Sequence, residues 1–280
     1  MKKTNDKKKK AGNIIRITVC SILGLALLLS AWFFVPVTER IDISFEGDPN
    51  TVRCILITDL HSCYYGKNMK NLIKRIDKEN PEIIFLGGDI FDDKIDDDNA
   101  EILLEDISKK YKCFYVSGNH EYWSKRCGEM KEKVKSMGIT VLEGDCETIT
   151  VNGKVIDVCG VDDPTQLYER EFIGQIDEAY AKTSEDHYKI LLTHRPERTD
   201  IYEKYDFDLI MAGHAHAGQV RIPFVNRGLY APNQGFFAEY ISGCYKLSNG
   251  SKMIVSRGLA RESTRAPRFF NHPEIIVIDF

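Results

Sequence analysis

The chain has 280 residues, 43% hydrophobic and 29% charged, which is the composition of a globular protein with a substantial core. The net charge of −4 is unevenly distributed: residues 1–40 carry eight Lys or Arg and two acidic residues, which leaves −10 for residues 41–280. An acidic globular part is electrostatically unsuited to a DNA or RNA backbone, so nucleic acid is excluded as the main partner.

The eight cysteines lack the spacing of a disulfide framework or of a zinc knuckle. Cys54, Cys113 and Cys159 lie within apolar runs, where a free cysteine behaves as a small hydrophobic residue. We therefore expect free thiols, which are uncommon in proteins that function outside the cytoplasm.

The amino terminus combines a lysine cluster with a long apolar run. Six lysines precede nineteen uncharged residues from Ile17 to Val35, a length that can cross about 30 Å of hydrocarbon as a helix. Because lysines favour the cytoplasmic side, we predict a basic cytoplasmic tail at 1–13 and a single-pass transmembrane signal anchor at 14–37. The chain beyond it would lie on the outer side of the cell membrane. A cleaved signal peptide is the alternative, although Leu29-Ser30-Ala31 is a poor cleavage site.

Residues 41–280 are predicted to form one domain, in which helical and strand patterns first alternate. Apolar residues have helical spacing around residues 69–76, and further helices are predicted at 99–110 and 124–137. Alternation of strands and helices indicates a parallel sheet that is covered by helices.

The pattern changes to strands with turns between them after residue 146. Residues 147–159 are typical of a hairpin around Asn152-Gly153, a pair suited to positive φ angles. Short strands are predicted at 244–247, 252–256 and 275–278, and we assign them to a second sheet. The predicted fold is an α/β (α+β) four-layer αββα sandwich, with two mixed β-sheets flanked by helices.

Five apolar runs end in short polar phrases. If the runs are parallel strands, their carboxyl ends meet at one edge of a sheet and bring the phrases together. Five of the seven histidines lie in these phrases, and the mixture of nitrogen and oxygen ligands suits Mn, Fe, Zn or Co better than calcium. The set indicates two metal ions and a hydrolytic reaction. The phrases are Asp59-Leu60-His61, Gly88-Asp89, Gly118-Asn119-His120-Glu121, Thr193-His194 and Gly213-His214-Ala215-His216.

Each phrase is weak evidence by itself, because a glycine followed by Asp89 is common in turns and His194 could be a core histidine. In an extended chain, side chains two residues apart point to the same side. This alternation would place Asp59 beside His61, and the two histidines of the last phrase beside each other.

Taken in order, the phrases resemble the calcineurin-like metallophosphoesterase superfamily, whose pattern is D-x-H, G-D, G-N-H-D/E, H and G-H-x-H. The resemblance covers nearly all of residues 52–216. The stretches at 194–197, 217–223 and 232–235 further resemble the membrane-anchored bacterial branch of YkuE/YaeI-type phosphoesterases.

The resemblance implies a site with two divalent cations, whose identity among Mn, Fe, Zn and Co stays open. It implies that one metal is held by Asp59, His61 and His216, that the other is held by Asn119, His194 and His214, and that Asp89 bridges them. His120 is implied to be the catalytic residue that contacts the substrate, and Glu121 either orients His120 or lies at the surface. Two cations about 3.5–4 Å apart would activate a bridging hydroxide that attacks phosphorus in line with the leaving oxygen.

The function implied is hydrolysis of a phosphodiester or phosphomonoester at the membrane, and the location alone suggests a lipid-linked or envelope-derived substrate. One alternative is a pyrophosphohydrolase that acts on a nucleotide-linked lipid precursor of the UDP-diacylglucosamine type, which would require a cytosolic site. A second is a non-catalytic metal-binding membrane protein, which the complete set of ligand positions disfavours. The sequence does not specify the oligomeric state.

Several further residues are candidates for the surroundings of the substrate. Hydrogen bonds within loops explain the polar ones at least as well, and ordinary packing explains the aromatic ones better. The polar candidates are Arg221, Asn233, Gln234 and Arg257, and the aromatic ones are Tyr64, Tyr65, Phe236 and Phe237.

Overall fold

The structure is a computed structural model that describes residues 13, 14, 16–21, 24, 33–44, 48–221, 228–261, 263 and 268–280. Within these residues, every helix is too short or too polar to span a bilayer. Residues 15, 22, 23 and 25–32 of the predicted anchor lie outside the described residues, as do residues 1–12 of the predicted tail. The anchor, the tail and their boundaries therefore stay predictions.

In residues 53–141 and 154–212, one or two helices separate each strand from the next, whereas residues 140–160 hold three successive strands. The strands are β1 Val37–Asp42, β2 Arg53–Ile57, β3 Ile83–Gly87, β4 Lys112–Val116, β5 Thr140–Val141, β6 Asp145–Val151, β7 Lys154–Gly160, β8 Tyr188–Leu192, β9 Leu209–Ala212, β10 Tyr230–Ala231, β11 Gly235–Phe236, β12 Gly243–Lys246, β13 Lys252–Val255 and β14 Glu274–Asp279. The α-helices are α1 Lys70–Glu79, α2 Asp98–Ser108, α3 Asn119–Trp123, α4 Cys127–Ser136, α5 Glu169–Tyr180 and α6 Thr199–Tyr202.

The described strands form two six-stranded mixed sheets and one two-stranded ribbon, β10–β11. The first sheet has the order β1-β14-β2-β3-β4-β5, in which only the β14–β2 pair is antiparallel. The second has the order β12-β13-β9-β8-β7-β6, with parallel central strands and an antiparallel strand at each edge. The prediction of two mixed sheets is confirmed.

The two sheets pack face to face over a fully apolar layer. Phe85 and Phe114 of the first sheet enter this layer, with ring centroids 5.7 Å apart, and meet Leu192 and Met211 of the second. Helices α1, α2 and α4 cover the outer face of the first sheet, and α5 and α6 cover that of the second. Helix, sheet, sheet and helix therefore make four layers.

Three elements differ from the sequence-based prediction. The strand predicted at 275–278 belongs to the first sheet, because Ile276 pairs with Leu56 and both are buried between the sheets. The helix predicted at 124–137 is α4, which begins only at Cys127. The segment before it forms a separate short helix, α3, which ends at Trp123. Helix α5 was not predicted, although Phe172, Ile176 and Ala179 have helical spacing and are buried.

Candidate metal centre

The predicted ligands lie at one edge of the molecule, where the carboxyl ends of five central strands meet. Strands β2, β3 and β4 come from the first sheet, and β8 and β9 from the second. Each ligand follows the last residue of its strand by two to four positions, as Asp59 follows Ile57 and His194 follows Leu192. The structure therefore brings together all seven predicted metal ligands and His120.

Asp59 and His61 lie in one group of ligands, as predicted, but the backbone at these positions is not the extended chain from which that prediction was made. Asp59 and His61 have φ angles of 50° and 48°, and His214 and His216 have φ angles of 64° and 45°. Such left-handed conformations are uncommon for residues other than glycine and often occur at functional sites. The chain coils after each strand, and the two histidines of the last phrase are directed to different groups of ligands.

Two sets of three side chains could each hold a cation, with ligand atoms within 4.8 Å of one another. They are Asp59, His61 and His216, and Asp89, His194 and His214. Asp89 Oδ2 lies 3.2 Å from His194 Nε2 and 3.7 Å from His61 Nε2, so it stands between the two sets. His120 also forms close groups, one with His61 and Asp89 and one with two further aspartates.

A test of whether these residues fit metal ions is the hydrogen bonding of their buried atoms. Five ligand atoms at this edge are buried and have no hydrogen-bond partner within the described part of the chain. They are His61 Nε2, Asp89 Oδ2, Asn119 Oδ1, His194 Nε2 and His216 Nδ1. An unsatisfied buried polar atom costs about 1–3 kcal/mol, so five that converge would be a large penalty without a cationic partner. The arrangement fits two divalent cations.

The other nitrogen of two of these histidines is held by a hydrogen bond. His61 Nδ1 lies 3.0 Å from Asp92 Oδ2, and His194 Nδ1 lies 2.8 Å from the carbonyl oxygen of Gly87. Such contacts fix the orientation of a metal-binding imidazole and leave Nε2 for the cation. Asp92 was not among the predicted site residues, although it follows Asp89 by only three positions.

His120 lies at the rim of the site, next to two aspartates. Its Nδ1 is 2.7 Å from Asp93 Oδ1 and 3.4 Å from Asp92 Oδ2, and its ring meets that of His61 edge-on at 4.3 Å. Burial lowers the pKa of His120, but the hydrogen bond to Asp92 and the neighbouring carboxylates outweigh burial and raise the pKa to about 9. The protein's own charges therefore favour the imidazolium form.

Glu121 is fully buried and does not contact His120, so both predicted roles for it are wrong. Its carboxylate accepts hydrogen bonds from the backbone N–H groups of Asp89 and Gly118, and from those of the two residues after Asp89. Burial and the charge of Asp89 raise the pKa of Glu121 to about 7. Glu121 ties the loop after β3 to the loop after β4 and so fixes the backbone that carries Asp89.

Arg195 belongs to the stretch 194–197, which resembles the YkuE/YaeI-type branch, and it is buried beside His214. It forms a two-pronged ion pair with Asp163 and donates a hydrogen bond to Asn233 Oδ1 at 2.7 Å, while its Nη1 lies 2.8 Å from His214 Nε2. Asn233 Oδ1 is also 2.9 Å from His214 Nε2. Of the polar candidates, Asn233 therefore lies at the site.

The remaining candidates divide between structural contacts and exposure. Arg257 pairs with Glu39 and Glu274, so it stabilises the fold. Gln234 bonds the backbone of Tyr240, which is a role within its loop. Tyr65 is buried and bonds Leu259, which confirms the packing prediction for it. Tyr64, Phe236 and Phe237 are exposed, and Phe236 packs on the ring of Tyr230.

Comparison with known proteins agrees with this geometry. Residues 52–218 match the model of the calcineurin-like phosphoesterase family. The chain belongs to this family. It is 29% identical over 248 residues to an uncharacterized metallophosphoesterase of Helicobacter pylori, covering 84% of this chain and 64% of that protein. It is 28% identical over 232 residues to the uncharacterized metallophosphoesterase YkuE of Bacillus subtilis, covering 80% and 77%.

Among solved structures, the chain resembles the NAD nucleotidase of Haemophilus influenzae, with 17% identity and a TM-score of 0.47. That match covers 75% of this chain and 46% of the other. The chain spans less than two thirds of the length of the Helicobacter pylori relative.

Replacing Glu121 by Gln should weaken binding of Mn²⁺ by about 10- to 100-fold, because an amide group cannot accept all four backbone hydrogen bonds that position the Asp89 loop. Calorimetric titration of the metal-free full-length chain measures this. Glu129→Gln, an exposed change on α4, is the matched control and should bind as the wild type does. Equal affinities of the two variants would show that Glu121 does not support the site.

Proposed function

We propose that the protein is a metal-dependent phosphoesterase that hydrolyses phosphate ester bonds at a site for two divalent cations. The observation that carries this proposal is the convergence, at the edge shared by the two sheets, of five buried nitrogen and oxygen atoms without a hydrogen-bond partner in the described part of the chain. Membership of the calcineurin-like family supports the same conclusion.

The proposed ligands divide into two sets that share one carboxylate. Asp59, His61 and His216 would hold one cation, Asn119, His194 and His214 the other, and Asp89 would contact both. When bound, such a pair supplies a nucleophile at neutral pH and neutralises phosphate oxygens.

Hydrogen bonds between the phrases hold the ligands in place. Asp89 Oδ1 accepts the N–H of His120 at 2.7 Å, and Asp59 accepts the N–H of His214 at 3.0 Å. The shared Asp89 is therefore oriented by the segment that carries Asn119, and Asp59 by the segment that carries His214, a proposed ligand of the other cation.

We propose that His120 contacts the substrate and is not a ligand. Its Nδ1 is engaged by Asp93, which leaves Nε2 for the phosphate or the leaving oxygen. The ring lines the cavity in front of the two ligand sets. From there it can donate a proton to the leaving group.

The membrane location is also proposed. The uncharged run from Ile17 to Val35 and the preceding lysines support a single-pass anchor with the site outside the cytoplasm. Similarity over 262 residues to a bovine protein named as a transmembrane protein with a metallophosphoesterase domain agrees with this. A substrate that is lipid-linked or derived from the envelope would then be within reach. The pyrophosphohydrolase alternative needs a cytosolic site.

The full-length chain loaded with Mn²⁺ should hydrolyse an activated aryl phosphodiester or monoester, and removal of metal by a chelator should abolish the reaction. Asp89→Ala and His214→Ala should lower kcat/KM at least about 100-fold, because each removes a side chain that is proposed to bind the cations directly. His187→Ala is the matched control, since His187 pairs with Asp157 away from the site. Full activity in chelator would refute the proposal.

His120→Asn should lower kcat about 10²- to 10⁴-fold and leave the metal content unchanged, because His120 is proposed to transfer a proton and not to bind a cation. Elemental analysis of the purified variant, beside kinetics on the same sample, separates the two roles. Loss of one metal equivalent would make His120 a ligand.

A reporter fused after Phe280 should be active outside the cytoplasm, because the basic tail is predicted to stay inside. Protease protection of the same fusion in intact cells provides a second measurement. A cytosolic reporter would overturn the proposed topology and favour the pyrophosphohydrolase alternative.

A further inference from the structure

Two grooves meet at the proposed metal site. Each has a volume of about 580 Å³, and both are lined by His120, Trp123, His216 and Pro232. A phosphate held at this junction can extend a substituent into either groove. The two grooves differ in the chemistry of their remaining walls.

The first, which we call the Arg195 groove, has charged and hydrogen-bonding side chains in its walls beside the apolar Pro164 and Leu167. Besides Arg195, it is lined by Thr165, Glu197, Arg198 and Asn233. Arg195 is fixed by Asp163, and Arg198 lies 3.6 Å from a carboxylate oxygen of Glu169. Such walls suit a substituent that carries hydroxyl or other hydrogen-bonding groups, whereas an alkyl chain would remove water from these polar groups without replacing its hydrogen bonds.

The second, which we call the Leu229 groove, has mainly apolar walls. Trp123, Leu229 and Tyr230 line it and are 53%, 41% and 50% exposed. Phe236 packs on Tyr230 with ring centroids 5.4 Å apart and is itself exposed, so the apolar surface extends beyond the groove. Exposed apolar surface of this kind, next to a reactive site, is typical of a binding surface for an apolar group.

We infer that the site accepts a phosphodiester with two unlike substituents, a polar one in the Arg195 groove and an alkyl or acyl one in the Leu229 groove. This rests on the proposed phosphoesterase function and narrows its substrate class. A phosphomonoester would fill only one groove. Hydrolysis breaks one P–O bond of the diester, forms one to the water oxygen and transfers a proton to the released alcohol.

The path of the chain supports an amphiphile as the source of the apolar substituent. Strand β1 begins at the edge of the sheet that carries the site, because Val37 pairs with Glu274, and Glu274 donates its N–H to the oxygen of Gly258. Gly258 in turn stands against Asp59, since a Cβ there would lie 2.5 Å from that of Asp59. The segment that leads from the predicted anchor therefore reaches the domain at the edge onto which the Leu229 groove opens.

The test compares three water-soluble diesters with the Mn²⁺-loaded full-length chain: glycerol butyl phosphate, bis(glycerol) phosphate and dibutyl phosphate. The mixed diester should have the highest kcat/KM, about tenfold above each symmetric one. Replacing butyl by methyl should lower kcat/KM of the mixed diester, by at most about fourfold for each methylene that is buried. Phosphorus NMR measures the products without a chromogenic group that could itself occupy the apolar groove.

Leu229→Glu should remove the butyl-over-methyl preference. Phe236→Glu should keep it, since it adds the same charge at a residue of the neighbouring ribbon that does not line the groove. Equal rates for methyl and butyl in the wild type, a preference for either symmetric diester, or loss of the preference in both variants would overturn the inference. If metal-loaded protein hydrolyses no ester at all, the proposed function fails. Calorimetric binding of the same diesters then decides the groove assignment separately, because binding needs no turnover.

Discussion

The structure depends on one constraint, which is that several lone pairs must be buried together at the edge where the two sheets meet. Three of these atoms, His61 Nε2, Asp89 Oδ2 and His194 Nε2, have no hydrogen-bond partner in the described part of the chain. Asp89 Oδ2 lies between the other two, 3.7 Å from His61 Nε2 and 3.2 Å from His194 Nε2. Burying such atoms is unfavourable unless a cation satisfies them. The fold must therefore hold them in place against their own desolvation, and it does so with five strands from two sheets that pack over a continuous apolar layer.

Rigid strands alone do not orient the ligands, because every ligand lies beyond the end of its strand. The loops are fixed to one another by hydrogen bonds whose partners are far apart in sequence. Glu121 holds the backbone around Asp89, and Asp92 holds the ring of His61. Close packing adds a steric condition: a Cβ at Gly213 would lie 2.5 Å from an oxygen of Asp59, so only glycine allows that carboxylate to approach the last loop. The strained positive φ angles of the ligands persist because these contacts determine the backbone around them.

The part of this arrangement that the sequence predicts is the part encoded locally. An apolar run followed by Asp, Asn or His marks a strand end, and parallel strands bring their ends together, so the set that includes Asp59, Asn119 and His194 could be named without coordinates. Asp92, Glu121 and Arg195 could not be assigned their roles, because each acts through a contact with a segment about 20–30 residues or more away. The same limit explains why β14 was placed in the wrong sheet. Alternating apolar residues show that a strand is buried but do not identify its neighbour.

The residues next to the phosphate and those farther out also contribute differently to function: the first determine reactivity, and the second determine which substrate is selected. The ligands of the proposed cations act on the phosphate group, which every phosphate ester has, so cation binding by itself does not distinguish one substituent from another. Discrimination must come from side chains farther out, where Arg195 and Leu229 give the two grooves different walls. Trp123 and His120 belong to both grooves, and their rings are 4.7 Å apart. A substituent that packs on Trp123 would therefore also restrict the position of His120, which would couple binding of the outer part of a substrate to the geometry of the proposed proton transfer.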